Sequence, residues 1–518
     1  MTTSEPDTIS GPASAPAGAD HPPLAVAIIG AGFGGLGMAV ALQRAGITNY
    51  EIYEEADTPG GVWRDNTYPD CACDVPSHLY SYSFAPYRDP RRRYPGQAQI
   101  LDYLQHVARD HQLFAHLRLR TPITTATYLD EHACWELTTG AGDRVRAEVI
   151  VFAVGQLHRP HLPDIPGRNR FEGTAMHTAA WDHTQDLRGR SVAVIGTGSS
   201  AAQLIPTIAS QARTVTVFQR TPHWVLPKPA PDFGPLSRLM LRLPGGHRLY
   251  RRALLAGADL VLAPVMRRGW SARGTEVLAK VYLRHSIPDD PVLRAAVTPD
   301  YPIGTKRIII DSGYYPALRR DNVALVTDPI EEITATGIQT IDGAHHDADV
   351  IIYATGFRAA QFLAPIRVYG RDGRSLQQQW AFGAHAFLGL AVPGCPNAFF
   401  LAGPNTFTPA GSNPAMKEHQ AAYILACLRW RRSVGAAAIE VDSQAMRCYQ
   451  QWLDTAIGDT VWPDSMSIPN WYRHPSGQIT SPWPGSVRGY ARMLRQHPPA
   501  RTFRAVAPQP AHPTADGS

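Results

Sequence analysis

The sequence predicts an α/β fold with two Rossmann-like dinucleotide-binding domains, the second inserted into the first and carrying a helical insertion. Three observations predict it. The apolar run at 24–29 breaks into Gly30-Ala31-Gly32-Phe33-Gly34-Gly35. The run at 192–195 breaks into Gly196-Thr197-Gly198-Ser199-Ser200-Ala201. A third run, at 350–353, reads as a strand re-entering the first sheet after the second unit ends. Each glycine turn has the strand, tight bend and helix start that set a pyrophosphate against unpaired helix-end N–H groups. One such turn is weak evidence; two in one chain point to two dinucleotides held face to face.

The elements follow in order. The first domain takes 24–158 and 341–498, and the second takes 159–340 with its helical insertion at 229–291. The strand at 50–53 ends at Glu54, about 20 positions past the last glycine of the turn, where an acceptor for a ribose hydroxyl belongs. Residues 97–111 place Ile100, Tyr103, Leu104 and Val107 on one helical face. Alternating segments from 121 to 154, joined by Gly140-Ala141-Gly142, read as β-strands. Pro160, Pro163 and Pro166 mark a linker. The strand at 214–218 ends in Gln219-Arg220-Thr221, with Arg220 in place of an acid. A guanidinium there suits a 2′-phosphate, so the second site should prefer NADP to NAD.

Composition bounds the rest. The chain has 518 residues, 44% hydrophobic and 18% charged, enough for two or three domains and a large core. A net charge of +5 on this length is too small for a nucleic-acid footprint, and Arg91-Arg92-Arg93 reads as a solvated loop. No nucleic-acid partner is expected. Cys71, Cys73, Cys134, Cys395, Cys427 and Cys448 form no Cys-x-x-Cys pair, so neither a metal site nor a redox disulfide is expected; they fit a cytoplasmic protein. Residues 1–23 lack a basic region followed by an apolar stretch and read as a disordered tail, as do 499–518. The most apolar helical stretch, 253–266, contains Asp259 and Pro264 and is too short to span a bilayer, so membrane contact is not expected. Oligomeric state leaves no signal in the sequence.

Several longer motifs remain. Between the units runs Phe171-Glu172-Gly173-Thr174-Ala175-Met176-His177-Thr178-Ala179-Ala180-Trp181-Asp182. A second segment runs from Gly60-Gly61-Val62-Trp63 through Tyr68-Pro69 to Asp74. A third is Tyr301-Pro302-Ile303-Gly304-Thr305-Lys306-Arg307, continuing to Asp311-Ser312-Gly313-Tyr314-Tyr315. Gly403-Pro404-Asn405-Thr406, Asn470-Trp471-Tyr472 and Trp483-Pro484-Gly485 follow. In these residues the chain, from 24 to about 496, resembles the class B flavin-dependent monooxygenases. Within them it is similar to the Baeyer–Villiger monooxygenases of the hydroxyacetophenone-monooxygenase-like branch. The pattern F-x-G-x-x-x-H-x-x-x-W-P/D is met at Phe171, Gly173, His177, Trp181 and Asp182. Asp70 departs from the usual Gly or Met, and Lys417 stands where an apolar residue is often found.

The resemblance implies FAD in the first site, at Gly30, Gly32, Gly35, Glu54, Gly61, Trp63 and Asp74. It implies NADPH in the second, at Gly196, Gly198, Ser199, Arg220, Thr221, Lys306 and Trp471. Arg307 is then the active-site arginine, Asp74 its partner, and Lys306 a holder of the 2′-phosphate. His177 would relay domain position without touching substrate. The implied reaction inserts one oxygen atom of O2 beside a ketone carbonyl, giving an ester or lactone through a flavin C4a-peroxide that Arg307 keeps anionic. The partners are a small ketone and O2, with the pocket expected from 229–291 and 407–414. A flavin monooxygenase oxidising nitrogen or sulfur is the alternative. A disulfide reductase would need a cysteine pair beside the flavin, and a non-catalytic FAD/NADP sensor would not need Arg307.

Overall fold

The computed structural model describes residues 22–87, 92–229, 232–409 and 411–508. The expected N-terminal tail lies outside them except for its last two residues, and Arg91 lies outside as well. The strand Leu24–Ile29 pairs in parallel with Tyr50–Tyr53 on one side and Arg144–Phe152 on the other. The sheet continues through Leu117–Arg118 beyond Tyr50–Tyr53. Beyond Arg144–Phe152 it continues antiparallel through Cys134–Thr139 and Ile123–Leu129. The helix Phe33–Arg44 covers one face and packs on the long helix Asn413–Ser433. Its contact with the sheet depends on Gly35, where a Cβ would meet the Gly30 carbonyl oxygen at 1.9 Å.

The second sheet is all parallel, in the order Val323–Val326, Thr214–Phe218, Ser191–Ile195, Val350–Tyr353, Thr174–His177. Here the sequence expectation is corrected. Val350–Tyr353 does not re-enter the first sheet; it fills the gap between Ser191–Ile195 and Thr174–His177. All four of its side chains are buried. A continuous apolar run suits the interior of either sheet, so periodicity alone cannot choose between them. The chain regains the first sheet later. Arg367–Tyr369 joins Ile123–Leu129, and Ala398–Phe400 joins Arg144–Phe152.

The C-terminal tail is also corrected. Pro499–Thr502 is a short helix, and Phe503–Val506 pairs antiparallel with Ala438–Val441. Phe503 and Val506 turn inward, and Arg504 bonds Glu440 at 2.5 Å. Two inward side chains in a Pro- and Arg-rich stretch leave too weak a compositional signal to be read as a strand. Residues 509–518 lie outside the described ones.

The insertion folds into the helices Pro235–Arg242, Gly246–Gly257, Ala272–Ser286 and Pro291–Ala296. Gly246–Gly257 runs on through one π-turn, Ala258–Leu262, into Ala263–Met266. Among the described residues no helix is long and apolar enough to cross a membrane.

Candidate active site between two nucleotide turns

Both glycine turns open onto one cavity of about 1490 Å³. That volume exceeds the few hundred to roughly 1,000 Å³ of an ordinary small-molecule pocket and suits more than one ligand. Gly30 and Gly196 have φ of +103° and +109°, and a Cβ on them would meet the Ala153 and Ala354 carbonyl oxygens at 2.8 and 2.6 Å. These glycines let the two strands and the turn approach closely. Gly198 differs: a Cβ there would meet nothing within 4 Å, so it faces open space where a ligand can come close to the backbone. The helices Phe33–Arg44 and Ser199–Ala209 start at Gly32 and Gly198 with no side-chain cap and no acid in the first turn. Their end N–H groups are left for an anion, and this fits the pyrophosphates of two dinucleotides.

Glu54 is buried at the end of its strand and lines the cavity. Its carboxylate accepts from the Ala31 N–H at 2.7 Å, from the Ala56 N–H at 3.1 Å and from Arg64 Nη1 at 2.8 Å. It therefore ties the first turn to the segment that carries Gly61 and Trp63. Gly61 has φ of +55°, and a Cβ on it would press on the Gly32 Cα at 3.2 Å, whereas a Cβ on Gly32 would make only ordinary contact at 3.6 Å. Trp63 donates its indole N–H to the hydroxyl of half-buried Tyr80 at 3.1 Å.

Arg307 and Asp74 are 233 residues apart in sequence and 2.5 Å apart in space, Nη2 to Oδ1. The Asp74 side chain is 10% exposed and that of Arg307 28%. Both line the cavity. Burial alone would lower the arginine's pKa, but the carboxylate, the salt-bridge hydrogen bond and nearby Tyr472 together raise it, so the guanidinium stays charged. Its Cζ lies 5.8 Å from the Phe407 ring centroid. Trp471 packs edge-on against Phe407 at 4.8 Å and against Tyr472 at 4.7 Å, closing an aromatic wall beside the cation. The Tyr472 hydroxyl is buried without a hydrogen-bond partner among the described residues.

A second positive cluster lies at the end of the strand Thr214–Phe218. Lys306 is 7% exposed and donates to Thr221 Oγ1. Its pKa falls to about 8, first through burial and then through the charge of Arg220; Asp300 opposes the shift weakly. The same lysine contributes to holding His223 down at about 3, although burial is the larger cause there. Arg220 is exposed at the cavity wall. Two cations that disfavour one another and have no ion-pair partner among the described residues could hold an anion between them.

The motif between the sheets does not reach the cavity. Gly173 has no room for a Cβ, which would meet the Asp349 carbonyl oxygen and the Phe171 ring, both at 2.5 Å. His177 ends a strand of the second sheet, accepts from the Ala179 N–H at 3.0 Å and meets Phe357 edge-on. Burial lowers its pKa, so it is a neutral structural group. Trp181 packs on the core of the second domain. Asp182 accepts from the Thr184 N–H at 2.9 Å, from its hydroxyl at 2.7 Å and from Gln185 Nε2 at 3.0 Å, fixing the turn.

Three further residues beside the cavity had no role assigned from the sequence. Gln203, on the helix after the second turn, accepts from Tyr68 at 3.0 Å and donates to the Ala72 carbonyl at 3.0 Å, joining the two domains. Asp70 has φ of +58°, the left-handed region that favours glycine, and its carboxylate accepts from Thr207 on the helix that carries Gln203. Lys417 lines the cavity without an ion pair or hydrogen bond among the described residues, and burial takes its pKa down to about 8. The expected contribution of 229–291 to the pocket is not found, whereas Phe407 and Asn413 do line the cavity.

Comparison with known proteins agrees with this geometry. Residues 27–233 match the family model described as pyridine nucleotide-disulphide oxidoreductase. All six cysteines are free. A Baeyer–Villiger monooxygenase of Streptomyces coelicolor is 40% identical, over 95% of this chain and 94% of that protein. The closed crystal structure of a cyclohexanone monooxygenase superposes with a TM-score of 0.81 at 29% identity, covering 93% of this chain and 99% of that one. OTEMO in complex with FAD and NADP superposes with a TM-score of 0.83 at 26% identity, covering 94% of this chain and 100% of that one. Two nucleotide turns on one cavity, an arginine held at its wall and this likeness over almost the whole length lead to one conclusion: the chain belongs to the Baeyer–Villiger monooxygenases, flavoproteins that work with FAD and NADPH.

Proposed function

We propose that the protein oxidises a small ketone: ketone, O2, NADPH and one proton give an ester or lactone, NADP⁺ and water. The observation that carries this reading is the charged Arg307, held by Asp74 at 2.5 Å on the wall of the cavity that both glycine turns share. Bound FAD, once reduced by NADPH, supplies dioxygen in activated form. The protein supplies position, charge and exclusion of water. The uncapped helix starts at Gly32 and Gly198 bind the two pyrophosphates. Lys306 and Arg220 take the 2′-phosphate of NADPH, with Thr221 orienting the lysine. Arg307 directs its charge at the ketone oxygen, where negative charge develops as the carbonyl carbon is attacked. Asp74 fixes the guanidinium, and Phe407, Trp471 and Tyr472 wall it from water. Six free cysteines suit a reducing cytoplasm.

The test is product mass spectrometry after incubation with NADPH, isotopically labelled O2 and a panel of linear, cyclic and aryl ketones. The expected product is an ester or lactone carrying one labelled oxygen. Sulfoxides or N-oxides from heteroatom substrates, with no ketone converted, would move the assignment to heteroatom oxidation. Turnover of a disulfide without uptake of O2 would remove it from the oxygenases.

A further inference from the structure

The helical insertion takes no part in the cavity, yet its surface is unlike the rest of the molecule. Of the eighteen exposed large hydrophobic side chains among the described residues, twelve fall between 236 and 292. Leu236, Leu239, Met240 and Leu243 are 72%, 59%, 56% and 56% exposed. Their spacing of i, i+3, i+4, i+7 puts them on one face of the helix Pro235–Arg242 and its C-cap. The next helix adds Leu249, and its π-turn extension adds Leu260, at 68% and 63%.

This outward face belongs to docked helices. Leu241, on the opposite side of the first helix, is buried. His247 meets the buried His78 at 2.8 Å. Arg251 donates to the His78 and Ser81 carbonyls at 2.6 and 2.8 Å. Polar groups anchor the inner side while leucines face out, the reverse of a solvated amphipathic helix.

The charge is equally one-sided. Residues 235–286 carry ten Lys and Arg against two Asp and Glu, and of the ten only Arg251, Arg267, Arg268 and Lys280 are ion-paired among the described residues. Arg242, Arg248 and Arg252 are exposed and have no acidic partner among the described residues. Two copies meeting through this face would bring arginine against arginine. A layer of anionic headgroups over acyl chains satisfies the arginines and the leucines together.

We propose that the helices Pro235–Arg242 and Gly246–Gly257 seat the protein on an anionic lipid surface, lying in the headgroup region without crossing it. This departs from the sequence expectation of no membrane contact.

The test is flotation of the FAD-loaded enzyme with vesicles of phosphatidylglycerol and phosphatidylcholine, or of phosphatidylcholine alone. Binding to the mixed vesicles, at least about tenfold tighter than to phosphatidylcholine and released by salt, is expected. The variant Leu236→Gln, Leu239→Gln, Met240→Gln, Leu243→Gln should lose it. The variant Arg242→Gln, Arg248→Gln, Arg252→Gln should bind about 10²-fold more weakly, at roughly fivefold per arginine. Both variants should keep the wild-type rate of NADPH oxidation and helix content. The proposal is overturned if the wild type does not float with the mixed vesicles, or if the leucine variant floats as well as the wild type. It is also overturned if sedimentation velocity shows a dimer that the leucine variant abolishes while vesicles remain unbound, which makes the face a contact between copies.

Discussion

Replacing Lys306 by Met should separate NADPH from NADH. The lysine is 7% exposed, donates to Thr221 and stands close enough to Arg220 for the two charges to oppose each other. A charged hydrogen bond to a phosphate in such a setting contributes about 1.5–3 kcal/mol, which is roughly 10- to 150-fold in affinity. NADH has a hydroxyl where NADPH has the phosphate, so its affinity should hardly change. The pH dependence follows from the lysine's pKa of about 8. Above that pH the lysine of the free site is mostly neutral while Arg220 stays charged, and NADPH binding should weaken by up to about tenfold per pH unit while drawing a proton from solution. The stability effect has the opposite sense. Between about 8 and the ordinary 10.5 the unfolded chain binds the proton that the folded chain has lost, so the nucleotide-free protein gains stability as pH rises through this window. Lys306→Met should therefore be more stable than wild type at pH 7, by up to about 3 kcal/mol, although it binds NADPH more weakly. The assay is the concentration dependence of anaerobic flavin reduction by NADPH and by NADH, at pH 7 and pH 9. Equal losses for both nucleotides, or a wild-type NADPH affinity that does not change across pH 8, would refute the assignment of the phosphate site.

Other substitutions test separate parts of the account. Gly35→Ala sets a Cβ 1.9 Å from the Gly30 carbonyl oxygen and should give protein without FAD; Gly198→Ala meets nothing within 4 Å and should fold with full FAD yet bind NADP weakly, as read by flavin absorbance and NADP titration. Asp74→Asn leaves Arg307 with a neutral partner in a largely buried site and should lower stability to urea by about 1–3 kcal/mol while reducing ester formation. Ending the chain after Pro498 removes the buried Phe503 and Val506 from their pairing with Ala438–Val441 and should lower stability by roughly 3–5 kcal/mol; an unchanged melting temperature would show that this strand contributes nothing.

The parts of the site legible in the sequence were those whose chemistry demands particular residues at short spacing. Gly30, Gly35 and Gly196 could be found because backbone approach excludes a side chain there. Arg220 stands out in the sequence because it ends a strand after such a turn, and in the structure it lines the cavity. The meeting of Arg307 with Asp74 came only from family likeness, because no local rule joins residues 233 apart. The placement of Val350–Tyr353 was misread because a wholly buried parallel strand carries no alternation to say which sheet holds it. The strand Phe503–Val506 was missed because only two of its four side chains turn inward. Gln203 left no trace, and Lys417 showed only as a departure from the family pattern, because a single polar residue on a helix gains its meaning from what the fold sets opposite it.

The central claim is that a permanent positive charge at Arg307 lets activated dioxygen reach a ketone carbon. The most direct measurement is the yield of ester and of hydrogen peroxide per NADPH consumed, in the wild type and in Arg307→Ala, with FAD content confirmed in both. The account predicts labelled ester from the wild type, and from the variant bound FAD with no ester. Ester formed by the variant at the wild-type yield would contradict it.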